Sequence, residues 1–121
     1  MTTTKITQNG INIALVQSPT PVMTDVQSAL DLMADVQYLH DCDRIVINKE
    51  AVAEDFFVLS TRLAGDILQK FSNYGKKLAI YGDFSRYTSK PLKDFIYESN
   101  NGRDIFFMPD EQSALEKLSA V

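Results

Sequence analysis

Apolar positions along this chain switch repeatedly between two periodicities, and the switches mark out its elements. Residues 5–17, KITQNGINIALVQ, form two alternating segments around Asn9-Gly10. Asn-Gly suits the positive φ values of a two-residue type I′ turn, so the segment predicts a β-hairpin. Residues 18–23 contain Pro19 and Pro21 and predict a loop, because proline removes a ladder donor and biases its predecessor towards extended backbone. A helix is expected next, with Thr24 as N-cap, Gln27 completing a capping box, and Val26, Ala29, Leu30, Met33 and Val36 in one apolar stripe. Residues 44–48, RIVIN, are short and β-branched and predict a buried strand.

The most informative run is residues 55–82, DFFVLSTRLAGDILQKFSNYGKKLAIYG. Phe56, Leu59, Leu63, Ile67, Phe71 and Tyr74 recur at helical spacing, and Phe57, Ala64 and Leu68 widen the stripe, predicting one long buried helix. Gly75 suits the position after a helix end, Lys76 and Lys77 complement its negative pole, and LAIYG predicts the next strand. A further helix starts at Ser89 or Lys90, tolerates Pro91 in its first turn, turns Leu92, Phe95 and Ile96 inward, and ends at Asn100-Asn101-Gly102. Residues 104–108 predict the last strand, and Asp110 caps a terminal helix with Ala114, Leu115 and Leu118 inward.

The resulting order is ββαβαβαβα. Strands separated by helices pair in parallel through right-handed crossovers, which predicts an α/β single domain with a mixed five-stranded sheet. Bulky residues at 11, 13, 15, 45, 47, 78, 80, 105 and 107 suggest one helix-covered face. The alternate set, with Asn12, Ala14, Val16, Val46, Ala79, Tyr81, Phe106 and Met108, suggests a second, partly open face. Tyr81, Phe106 and Met108 are therefore the expected apolar patch for self-association, with a homodimer as its product.

Composition narrows the class. At 121 residues the chain suits one domain, and 45% hydrophobic with 23% charged residues is a globular balance. Cys42 is the only cysteine, so no internal disulfide is available, and a reducing, cytoplasmic location is expected. No run approaches the roughly 20 apolar residues of a membrane span. A net charge of −4 argues against broad nucleic-acid binding. Residues 62–103 nevertheless carry eight Lys/Arg against four Asp/Glu, a local excess that favours an anion.

Candidate chemistry concentrates after the fourth strand, in Asp83-Phe84-Ser85-Arg86-Tyr87-Thr88-Ser89-Lys90. Strand C-termini open onto a crevice, and Arg86 with Ser85, Ser89 and Lys90 could hold a phosphate or carboxylate there. Asp55 and Asp83 would both approach that crevice. Each has a simpler role in a cap or turn, and the alternative for Arg86 is a local pair with Asp83. Neither glycine-rich nucleotide motif occurs. His40-Asp41-Cys42-Asp43 lacks a second Cys/His pair for zinc, and with one histidine and no G-x-S-x-G elbow no catalytic set is assigned. No metal or cofactor is expected.

Residues 55–102, and the element order across nearly the whole chain, resemble the bacterial family called domain of unknown function 4180. More distantly, RIVIN, the following helix, KKLAIYGD and PDEQSALEKL are similar in order and spacing to STAS-type, anti-sigma-factor antagonist-like domains. That resemblance implies helices packed mainly on one sheet face and a non-enzymatic regulatory role exercised on a protein partner. It also implies a phosphoserine beside an aspartate at the start of the central helix. Here that place reads Glu54-Asp55-Phe56-Phe57, which has no hydroxyl, while Ser60 and Thr61 lie a turn further on as ordinary helix residues. The alternative is a small anion- or nucleotide-binding protein, an enzyme included, with its site at residues 83–90.

Overall fold

A computed structural model describes residues 1–121. Strands β1 (Thr2–Gln8) and β2 (Ile11–Gln17) form an antiparallel hairpin. Its turn residues Asn9 and Gly10 have φ of 53° and 76°, the left-handed pair that an Asn-Gly turn supplies. There follow α1 (Val26–His40), β3 (Arg44–Asn48), α2 (Leu63–Asn73), β4 (Lys77–Tyr81), α3 (Lys90–Asn100), β5 (Ile105–Met108) and α4 (Glu111–Ala120). The five strands lie side by side in chain order, with every pair after the hairpin parallel. Because each crossover steps the same way across the sheet with the same hand, α1, α2 and α3 share one face. After β5 no crossover remains, and α4 packs on the opposite face.

Both faces are therefore buried, which corrects two expectations. The larger core lies under α1–α3 and joins Ala14, Val16, Ile45, Ile47, Leu78, Ile80 and Phe107 to the helices. The smaller core joins Ile13, Leu15, Val46, Ala79 and Phe106 to Ala114, Leu115 and Leu118 of α4. The register pairs Ala14 with Ile45 and Val16 with Ile47, so β2 presents its bulkier set to α4, not to the three-helix layer. In a strand buried on both sides, bulk does not identify the face. The second face is likewise closed, and Phe106 is 0% exposed beneath α4.

Two helix starts also differ from expectation. The N-cap of α1 is Asp25, not Thr24. Its carboxylate accepts from Ser28 N at 2.7 Å while Ser28 Oγ accepts from Asp25 N at 3.0 Å, a reciprocal box built on a stronger acceptor than threonine. The expected long central helix is broken. Residues 54–57 and 59–61 form separate 3₁₀ turns, and Arg62, at φ 65°, separates them from α2. Consecutive Phe56 and Phe57 are both buried, and their rings meet edge to face with centroids 5.1 Å apart. Thr61 completes the break: its hydroxyl lies 2.8 Å from both the Asp55 and Val58 carbonyls, and its oxygen accepts from Leu63 N at 3.3 Å.

The outer edge of β5 is closed by one side chain. Asn100 donates Nδ2 to the Phe107 carbonyl at 3.1 Å, and its Oδ1 accepts from Phe107 N at 2.7 Å, so the amide stands in for a neighbouring strand.

Candidate functional site

The strand exits of β3 and β4 meet at Gly82. A Cβ at this position would sit 2.7 Å from Lys49 Cβ, so glycine is what lets the chain leaving β4 pass the turn leaving β3. Asp83 then closes a tight turn by accepting from Ser85 N at 2.9 Å. Hydrogen bonding from Ser85, more than the nearby charges of Lys49 and Arg86, holds the Asp83 carboxyl below its ordinary pKa. It stays ionised at neutral pH.

Aromatic residues anchor the loop that follows. Tyr87 stacks on Phe57 with centroids 5.0 Å apart and planes at 18°, while Phe84 meets Phe57 at 5.9 Å and the Phe107 edge at 5.6 Å. Above these rings the polar groups close on one another. Arg86 Nη2 donates to Glu54 Oε1 at 2.7 Å, and Tyr87 Oη donates to the same oxygen at 3.0 Å. Lys49 Nζ lies 5.2 Å from the Tyr87 centroid, and Arg86 Cζ lies 5.0 Å from it. Glu54, Arg86, Tyr87 and Lys49 thus clasp the β4–α3 loop to the two 3₁₀ turns that follow β3, Lys49–Ala51 and Glu54–Phe57.

The residues singled out from the sequence are only partly brought together. Asp83, Ser85 and Arg86 share the loop, but Arg86 pairs with Glu54, not Asp83. Ser89 is the N-cap of α3, 3.5 Å from Leu92 N, and Lys90 pairs with Asp94 at 2.6 Å along that helix. Asp55 is exposed and enters the local network through its carbonyl. Tyr81 and Met108 are half-buried at the rim of the α4 core, the Tyr81 hydroxyl accepts from Gln17 Nε2 at 3.1 Å, and Lys117 Nζ lies 5.0 Å over the buried Phe106 ring. Sequence reading missed Glu54, Lys49, Phe57 and Tyr87. Phe84 and Tyr87, three apart in a loop otherwise polar, were the available signal.

Beside the clasp runs a mainly apolar groove of about 400 Å³, between Phe57, Val58, Leu59 and Ser60 on one wall and Ser89, Pro91 and Leu92 on the other. Val58 at its rim is 47% exposed. At the far end of the sheet, burial pushes the Cys42 thiol up, and Sγ lies 3.3 Å from the His40 carbonyl. No group of three or more His, Cys, Asp or Glu side chains has metal-binding geometry. No helix is long and apolar enough to cross a membrane.

Among known proteins, the family model described as Domain of unknown function (DUF4180) matches residues 8–118. No curated protein and no solved structure matches.

Proposed function

Because this chain belongs to the DUF4180 family, a membership that names no activity, we propose its function from the strand-exit surface: a non-enzymatic regulatory domain that works by binding a protein partner. The supporting observation is an apolar groove beside a polar loop whose two expected ligand-binding cations are already paired with carboxylates. Phe57, Val58, Leu59 and Pro91 offer apolar contact, while Arg86–Glu54 and Lys90–Asp94 leave no unpaired charge among the expected ligand-binding cations of the loop. Protein interfaces combine an apolar centre with polar surroundings. A fixed carboxylate such as Asp83, kept ionised by its own turn, suits positioning better than proton transfer.

The sequential strand order and the three helices on one face are compatible with a STAS-like mode of action. Where that mode would use a phosphorylated serine, Phe56 and Phe57 are buried and carry no hydroxyl, so binding here is not switched at that place. Site-specific photocrosslinking tests the proposal. A photoreactive phenylalanine analogue at Val58 should give one discrete protein adduct in cells, absent when the analogue stands at exposed Tyr97 and lost on Pro91→Asp. An identical adduct pattern at both positions, or none at Val58, would reject this surface.

A further inference from the structure

The outer side of the three-helix layer carries an apolar strip that the fold leaves uncovered. Leu30, Ala34 and Tyr38 follow one another at intervals of four along α1, and Tyr74 stands beside them at the end of α2. Between the helices lies a groove of about 310 Å³ floored by Met33, with Lys76 donating to Gln37 Oε1 across it. Tyr38 is 91% exposed and Tyr74 61%.

The two walls carry different charges in matching places. α1 contains no Lys or Arg, and Asp35 sits three residues before Tyr38. On the other wall Lys70 sits four residues before Tyr74. Each tyrosine therefore has one charged neighbour a turn back, negative on α1 and positive on α2. Both helices return between parallel strands, so they point the same way and finish at the same end of the sheet, where the strands begin.

We propose that this strip binds a second copy of the chain about a two-fold axis parallel to α1 and α2. Such an axis keeps helix direction and height but exchanges left for right, which lays α1 of each copy on α2 of the other. Tyr38 then meets Tyr74 of the partner subunit, and Asp35 meets Lys70 of the partner subunit, each contact occurring twice. A turn further back, Asp31 faces Asp66 of the partner subunit, a like-charge pair that limits affinity. The strand-exit surface lies at the opposite end of the sheet and stays free. Of the association surface expected at Tyr81, Phe106 and Met108, α4 covers Phe106 and leaves the half-buried Tyr81 and Met108 at its rim.

Sedimentation velocity across a micromolar concentration series, at low and high salt, tests the arrangement. The wild type should pass from monomer to dimer with rising concentration, more weakly at high salt, and Ala34→Arg should remain monomeric with an unchanged circular dichroism spectrum. Asp35→Lys and Lys70→Glu should each weaken dimerisation by about tenfold or more, since each replaces two attractive contacts by repulsive ones. Mixed in equal amounts, the two variants should associate again, because the mixed dimer regains opposite charges at both contacts. Asp66→Lys should tighten the wild-type dimer. A wild type that stays monomeric at several hundred micromolar, a dimer that survives Ala34→Arg, or a mixture no tighter than its separate components would overturn the proposal.

Discussion

Replacing Asn100 by alanine isolates the closure of the sheet edge at β5. The amide makes two bonds to one residue, 3.1 Å from Nδ2 to the Phe107 carbonyl and 2.7 Å from Phe107 N to Oδ1. Phe107 is 4% exposed, and its ring packs against Phe56, Phe84 and Phe95, so its backbone has no freedom to turn towards another partner. An unsatisfied buried backbone group costs about 1–3 kcal/mol. With an edge that water reaches in part, the two groups together should cost about 2–3 kcal/mol. Alanine's better helix propensity returns about half a kcal/mol at the end of α3. The net loss is then about 2 kcal/mol, which for a chain of 121 residues lowers Tm by roughly 6–10 °C. Urea unfolding followed by circular dichroism should show a lower midpoint at unchanged slope. Asn101→Ala provides the control, because it removes one exposed bond to the Tyr97 carbonyl and should shift Tm far less. If Asn100→Ala loses less than about 1 kcal/mol, solvent replaces the amide at little cost and the edge does not depend on this side chain.

Two further outcomes are expected. Glu54→Gln removes the carboxylate that occupies Arg86, so inorganic phosphate or sulfate should raise Tm more in this variant than in the wild type; equal shifts would show that Glu54 does not control access to Arg86. Asp25 and Asp110 are both held below the ordinary carboxyl range, chiefly by hydrogen bonds from Ser28 and Ser113 backbone N–H groups. Their contribution is present above the unfolded-state value of about 3.9 and is lost as pH falls through the lower folded-state values. In the variant carrying both Asp25→Asn and Asp110→Asn, Tm should fall less steeply below about pH 4 than in the wild type, and parallel profiles would remove the caps from the account of acid unfolding.

Legibility followed how local each determinant was. Asn9-Gly10 specifies its turn by backbone preference alone, and RIVIN can only be a short buried strand, so the hairpin and β3 were readable directly. The right-handedness of every crossover followed from chirality once the ββαβαβαβα order was known, but the direction in which each steps across the sheet, and so the face its helix covers, did not. The side assignment of β2 was not readable, because Ile13 and Ala14 are both 0% exposed and only the register with β3 decides which meets α4. The broken central helix escaped for a related reason. Phe56, Leu59 and Leu63 have helical spacing, but the backbone turns aside at Arg62, and the rings that Phe56 and Phe57 pack against, Tyr87, Phe84 and Phe107, lie far along the chain.

The same distinction explains the site. Arg86 was visible as a charge in a promising loop, yet its partner lies 32 residues upstream in a segment that spacing assigns to a helix. Had residues 54–61 continued α2 as one helix, their rise per residue would have carried Glu54 along the helix axis and away from the β4–α3 loop. The 3₁₀ turns instead hold Glu54 against that loop, where Tyr87 and Arg86 share one of its carboxylate oxygens. The break before α2 thus sets the electrostatics of the surface. Glu54 neutralises the cation that the sequence offered to an anion, while Val58, on the link between the two turns, is left exposed at the rim of the groove.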